Sequence, residues 1–233
     1  SIIPSQKEVL EQMAPLFGDT VNFPNPYEKL AAHKNEYLYF RTDHHWTQRG
    51  AYYAYAAFAE SVGFTPTPIE NFGHAVINDN YFGSLYEWTK DERVKNFHDE
   101  VEVFHPTKSV SMTVEASWGE VLTFDTCIVD EKGNYIAFLY GDHPFISINV
   151  PDNPQDRVCL VLKDSFGNAF VPFLCEHYGT ILVIDPRTFE GDLNERLWQY
   201  APLTDIIFVN NVEAANSIAW PRLFMGTLGV TLP

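Results

Sequence analysis

The chain has 233 residues, 45% hydrophobic and 15% aromatic, which excludes a disordered segment and allows one sizeable core. Fifteen basic against thirty-one acidic residues leave a formal charge of -16. That sign excludes the counterion-releasing basic surface on which phosphate-backbone binding rests, so nucleic acid is not an expected partner. The three cysteines, Cys127, Cys159 and Cys175, form no CxxC pair and read as buried thiols. No stretch is apolar and long enough to span a bilayer, and no signal peptide is visible. The chain opens on Ser1 instead of Met, so an upstream segment is expected in the parent protein.

Residues 5–17, SQKEVLEQMAPLF, carry apolar residues at helical spacing as far as Pro15, and 21–36 reads as a loop and a second short helix. EYLYFR, 36–41, reads as a strand that ends at Asp43, His44, His45 and Trp46. Thr47 then suits an N-cap, and Ala51, Tyr55, Ala59 and Val62 recur on one face of a helix that Gly63 stops.

Between residues 72 and 150 the texture changes to short β-rich runs, VEVFHP, VSMTVEA and EVLTFDTCIVD, with DEKGN as a hairpin signal. The expectation is a β-rich insertion, 72–150, within a single domain spanning 1–233. Residues 157–211 return to continuous apolar runs alternating with helical patterns, which predicts a parallel sheet covered on both faces. Ligands of such sheets sit at the strand C-terminal ends. Asp164 and Ser165 follow one strand, Asp185 and Arg187 the next, Asn210 and Asn211 the third.

In an extended segment residues i and i+2 share a side, so Asp43 and His45 are placed to hydrogen-bond while His44 faces away. A carboxylate beside a histidine fixes its tautomer and steadies the imidazolium, as a general base requires. Ser165 sits in a strand-to-helix turn, where its hydroxyl serves either as a helix N-cap or as a nucleophile beside the free N–H groups of the helix start. Asp43, His44, His45, His105, His143 and His177 are also candidate metal ligands, but adjacent histidines rarely share one ion and no H-x-x-x-H pair exists, so no metal is expected. The further metal motifs of the DHH phosphoesterases, the cysteine of the palmitoyltransferase signature and the G-x-S-x-G elbow of the α/β-hydrolases are all missing.

Two blocks together, YFRTDHHWTQRGAY and LKDSFGNAFVPFL followed by YGTILVIDPRTF, resemble the bacterial DHHW family, which is related to the SGNH-like domains of the alginate O-acetylation proteins. NYIAFLYGDHPFISI is similar to that family's pattern as well. The resemblance implies an SGNH-hydrolase-like three-layer α/β/α fold with a central, mostly parallel sheet and a circularly permuted motif order, the Asp and His preceding the Ser. Carried over, Ser165 matches the nucleophile, His45 the base and Asp43 its orienting acid. Arg187 matches a feature near the site, and Asn210 or Asn211 falls where an oxyanion Asn is kept, without its usual Gly-x-Asn-Asp context. Asp164, His44, Trp46 and His143 complete the expected substrate-binding set.

The resemblance implies no cofactor. It implies acetyl transfer to, or acetyl-ester hydrolysis on, an exported or cell-surface polysaccharide, with a membrane-bound O-acyltransferase as acetyl supplier and a parent protein carrying an N-terminal anchor or signal. The alternative is a catalytically silent glycan-binding or scaffold component of a polysaccharide export complex. The acidic balance favours a neutral or amino glycan over an anionic one.

Overall fold

Ser5 accepts the Glu8 N–H at 3.2 Å while Glu8 reaches back to the Ser5 N–H at 2.8 Å, a reciprocal cap that starts α1 (Gln6–Met13). The computed structural model describes residues 5–200, 202–215, 217 and 219–229. After α2 (Tyr27–Ala32) the chain enters α3 (Gln48–Ser61), where the Thr47 side chain accepts the Gly50 N–H as expected. Ala51, Tyr55 and Ala59, spaced to share one helical face, are all completely buried.

Then come β1 (Gly73–Tyr81), α4 (Ser84–Thr89), β2 (Asp99–His105), β3 (Ser111–Glu115), β4 (Val121–Phe124) and β5 (Phe145–Asn149). The chain finishes with β6 (Val158–Lys163), α5 (Phe166–Leu174), β7 (Thr180–Ile184), α6 (Leu193–Leu197), β8 (Asp205–Val209), α7 (Val212–Ala215) and α8 (Ala219–Thr227).

One sheet has six strands in the order β4-β3-β5-β7-β6-β8, and β1 pairs with β2 in a separate antiparallel ribbon. Alternate residues of the central strands feed two cores, as a period of two requires. Cys159, Val161, Ile181, Val183, Ile146 and Ile148 face the side covered by α3 and α5. Leu160, Leu162, Leu182 and Ile184 face the other, against Leu193 and Leu197 of α6 and Phe224 of α8. Helices on both faces make the three layers, with all three cysteine thiols free and buried.

Three expectations are corrected in detail. The sheet is mixed: only β7-β6-β8 pair in parallel, while β4, β3 and β5 add antiparallel. The helical crossover that a parallel pair needs follows β6, whereas the short turn between β3 and β4 permits only antiparallel pairing. Of the five strands within 72–150, β3, β4 and β5 belong to the main sheet and β1 and β2 form the ribbon. EYLYFR is not a sheet strand either, since its sole pairing is a single bridge from Tyr39 to Trp46, and DEKGN forms a 3-10 turn beneath a lone Ile128–Phe138 bridge instead of a hairpin.

On the α3 side, His177 accepts or donates at 2.8 Å to the Tyr55 hydroxyl and stacks on Phe64 at 4.5 Å. Burial pulls its imidazole down to about 4, against roughly 6.5 in an unfolded chain. The folded state then binds fewer protons, so the stability His177 contributes is full above about pH 6.5 and is lost as pH falls toward 4. Melting temperatures measured from pH 7.5 to pH 4 are expected to fall through this window, and His177→Gln is expected to flatten the fall.

Candidate active site

The turn carrying Asp43 and His45 is built on a buried carboxylate. Asp99, fully buried at the start of β2, accepts the Arg41 and Thr42 N–H groups, each at 2.8 Å, the Thr42 hydroxyl at 2.5 Å and the Tyr37 hydroxyl. Side-chain oxygens take these amides, so no strand ladder forms and the chain bends instead of running extended. Asp43 Oδ1 then accepts the His45 N–H at 2.9 Å and faces His45 Nδ1 at 2.6 Å. His45 Nε2 lies 2.7 Å from Ser165 Oγ.

The electrostatics favour one proton arrangement. Burial alone raises the Asp43 carboxyl, but hydrogen bonds from His45 and the Ser84 N–H outweigh it and hold the group far below the usual carboxylate range. An ionised Asp43 keeps the proton on Nδ1 and leaves Nε2 to accept from the serine hydroxyl. Asp43 Oδ2 in turn accepts from Tyr81 at 2.9 Å and from the Ser84 N–H at 2.9 Å. Burial and the neighbouring Asp43 push the Tyr81 phenol well up, so it stays a donor.

Gly83 permits this approach. A methyl there would overlap the Asp43 side chain, with Asp43 Cγ at 2.7 Å. Gly83→Ala is expected to force the carboxylate off His45 and to destabilise the fold by about 1 to 3 kcal/mol, the usual cost of an overpacked contact. Thermal melting, with a crystal structure of the variant, checks it.

Ser165 occupies the residue before α5, yet its side chain makes no capping bond; Asp164 Oδ1 accepts the Phe166 N–H at 2.9 Å instead. The hydroxyl is thereby left to His45. Tyr135 lies flat against the His45 ring, centroids 3.8 Å apart and planes 7° apart, and donates to the Ser165 carbonyl at 2.9 Å. Trp46 Nε1 donates to the Phe166 carbonyl at 3.0 Å, tying the start of α3 to the start of α5.

Above Ser165 opens a cavity of about 330 Å³, walled by His44, Glu87, Ile136, Asp142 and Asn168 among others. Asp142 accepts from Lys163 at 2.6 Å, Asn168 at 2.9 Å and Arg187 at 2.8 Å. Burial raises its carboxyl, but Lys163 and Arg187 prevail and bring it to about 2. The turn leading to it is strained, with Leu139, Tyr140 and Gly141 all at positive φ (57°, 62° and 101°).

Of the residues singled out in the sequence, Ser165, His45, Asp43 and His44 meet at this cavity, and Asp142 with them. The others do not line it. Asn211 is spent on Asp164 Oδ2, through its backbone N–H at 2.9 Å and its side-chain Nδ2 at 2.8 Å, and its Oδ1 accepts the Ala214 N–H at 2.7 Å. Asn210 keeps its side-chain nitrogen buried away from the cavity. Asp164 is the cap of α5 and the anchor of Asn211, and burial raises its carboxyl.

Arg187 grips Asp185 and braces Asp142 from behind. Trp46 is core. His143 is buried with Nε2 on the Tyr140 carbonyl at 3.1 Å and Trp118 against its ring.

The six candidate metal ligands do not converge: His105 pairs with Asp130 and His177 with Tyr55. Asp43, His44 and His45 are close together, with donor atoms within 4.8 Å. Both His45 nitrogens are engaged, and His44 Nδ1 sits 2.5 Å from Ser84 Oγ, so an ion there would displace these hydrogen bonds.

Sequence reading missed Asp99, Tyr81, Gly83, Tyr135 and Asn168. Gly83 and Ser84 had a signal, a Gly-Ser pair before LYEWT that suits a helix start. Nothing local marks Asp99.

The solved structure of a DHHW family protein from Eubacterium siraeum superposes with a TM-score of 0.84 at 27% identity, covering 99% of this chain and 76% of that one. Bacillus cereus PatB1, in a structure with a sulfonyl adduct, superposes at 0.73 with 20% identity over 91% of this chain and 73% of that one. A comparison with curated proteins finds no match. No helix among the described residues is long and apolar enough to cross a membrane. The profile of the DHHW protein family matches residues 5–184, from the capped α1 to the end of β7 and through both the Asp43-to-Trp46 turn and Ser165, and the chain belongs to that family.

Proposed function

We propose that this protein is a serine-dependent acyl transferase or acetylesterase acting on an extracytoplasmic polysaccharide, with Ser165 as nucleophile, His45 as general base and acid, and Asp43 as the orienting carboxylate. The observation that carries the reading is the unbroken hydrogen-bonded chain Asp43, His45, Ser165, with contacts of 2.6 and 2.7 Å, at the foot of an open cavity. The DHHW resemblance to alginate O-acetylation domains supplies the acetyl group and the glycan. Family analogy also suggests a membrane-bound O-acyltransferase as supplier.

In this mechanism Ser165 Oγ attacks the acyl carbonyl as its proton passes to His45 Nε2, and Asp43 stabilises the imidazolium. The oxyanion falls to the Ser165 N–H, which has no backbone acceptor among the described residues, whereas the Phe166 N–H is already given to Asp164. His45 returns the proton to the leaving oxygen, and an acyl-enzyme remains. A second hydroxyl, deprotonated by the same imidazole, then takes the acyl group: water makes the protein an esterase, a sugar a transferase.

PatB1 is known with a sulfonyl adduct, and a sulfonyl fluoride is the corresponding probe here. Phenylmethylsulfonyl fluoride is expected to add one sulfonyl group, at Ser165, found by peptide mass spectrometry, and to add none to His45→Ala. Labelling elsewhere, or none with p-nitrophenyl acetate turnover intact, would overturn the assignment.

A further inference from the structure

We propose that α4 provides a sugar-binding subsite at the mouth of the cavity, in which a non-anionic hexose ring, neutral or amino-substituted, stacks on Trp88 while Glu87 excludes uronic acids. The inference deepens the acyl-transfer reading, since the subsite would hold the acceptor over Ser165.

Four rings form a column beside the nucleophile. Tyr135 stacks on His45, His45 lies 3.8 Å from His44, and His44 stacks on Trp88 at 5.1 Å with planes 27° apart. The column runs outward from the nucleophile, and its outermost member is 69% exposed. The indole packs on His44 while most of it stays open, and aromatic faces are what apolar faces of sugar rings cover. Its position is not free to wander. Ser84, the first residue of α4, gives its N–H to Asp43 and accepts the His44 N–H on its hydroxyl, which also lies 2.5 Å from His44 Nδ1, so α4 is pinned to the catalytic turn.

Charge selects the ring. The acidic groups on the cavity wall are Asp43, Glu87 and Asp142, and none of the residues lining it is lysine or arginine. Asp43 is answered by His45, and Asp142 by Lys163 and Arg187, both of whose cationic heads are already committed to carboxylates. Glu87 meets Lys90 at 2.6 Å on its solvent side, a pair exposed enough to be weak. An incoming uronate carboxylate would therefore meet Glu87 with no uncommitted cation to receive it, on a protein of net charge -16. The cavity, about 330 Å³, lies at the small end for ligand sites and suits one ring with its acyl group.

Isothermal titration of the full chain with chitotetraose and with tetragalacturonate tests this. Chitotetraose is expected to bind, tetragalacturonate at least about tenfold more weakly. Trp88→Ala is expected to weaken chitotetraose about tenfold, the scale of one lost stacking contact, and Glu87→Gln to narrow the gap between the two sugars. Trp198, 90% exposed and outside the cavity wall, is the control, and Trp198→Ala is expected to bind like the native chain.

Equal or tighter binding of tetragalacturonate, no binding of chitotetraose, an unchanged Trp88→Ala, or self-association that vanishes in Trp88→Ala would each overturn the subsite. Turnover of p-nitrophenyl acetate by the native chain, measured in parallel, separates the two readings. Its absence with sugar binding intact refutes acyl transfer and leaves the subsite standing.

Discussion

Replacing His45 with alanine is expected to lower p-nitrophenyl acetate turnover by at least about 10³-fold, because a serine hydroxyl without its base is a poor nucleophile at neutral pH. Ser165→Ala is expected to lose as much, and the double variant no more than either, since the residues act as one unit. The two single variants differ in stability. Ser165→Ala removes one half-buried hydroxyl.

His45→Ala deletes the Nδ1 partner of a buried carboxylate, although Tyr81, the Ser84 N–H and the residue 45 N–H remain on Asp43. A cost of about 1 to 3 kcal/mol follows. Because the Asp43 carboxyl is held low in the folded state, its contribution is full above the unfolded carboxylate range near pH 4 and is lost as pH falls below it. Full turnover in either single variant would remove both residues from the mechanism.

Asp99→Ala is expected to be the most destabilising substitution tied to the site, by about 3 to 5 kcal/mol. No residue of the proposed triad is altered, yet four donors lose their acceptor at once: the Tyr37 and Thr42 hydroxyls and the N–H groups of Arg41 and Thr42. Water cannot replace it, because Asp99 and Thr42 are completely buried. The turn that sets Asp43 one residue later then loses its footing.

For a chain of this size the melting temperature should drop by on the order of 10 °C, and turnover should fall even at temperatures where the variant is folded. Asp99→Asn, which keeps one acceptor oxygen, is expected to lie between. An Asp99→Ala protein with native melting and native rates would show that the turn is held by other means.

What could be read without the structure was local or periodic. Ala51, Tyr55 and Ala59 announce α3 because one helical face must be apolar, and Thr47 announces its start because a hydroxyl there answers an orphan N–H. The continuous apolar runs announce β6 and β7 because both faces of those strands are covered. The Asp43-x-His45 spacing and the strand-to-helix turn at Ser165 marked three residues that the fold brings together.

EYLYFR misled because β propensity describes fit to a half-buried pleat, while the amides of 41 and 42 are taken by a carboxylate almost sixty positions away. Arg187 and Asn211 misled because the C-terminal end of a strand is a region and not a direction, and their side chains turn to Asp142, Asp185 and Asp164.

The sequence by itself determined α1, α3, α5 and the apolar strands β6 to β8, the permuted order of Asp43, His45 and Ser165, and the family, since all of these rest on periodicity, caps and short motifs. Only the tertiary structure decided that Ser165 faces His45 instead of capping α5, that Asp99, Tyr81 and Gly83 set Asp43, and that Trp88 stacks on His44. Those contacts join residues 38 to 120 positions apart. At such separations the geometry comes from how layers pack, which no local pattern encodes.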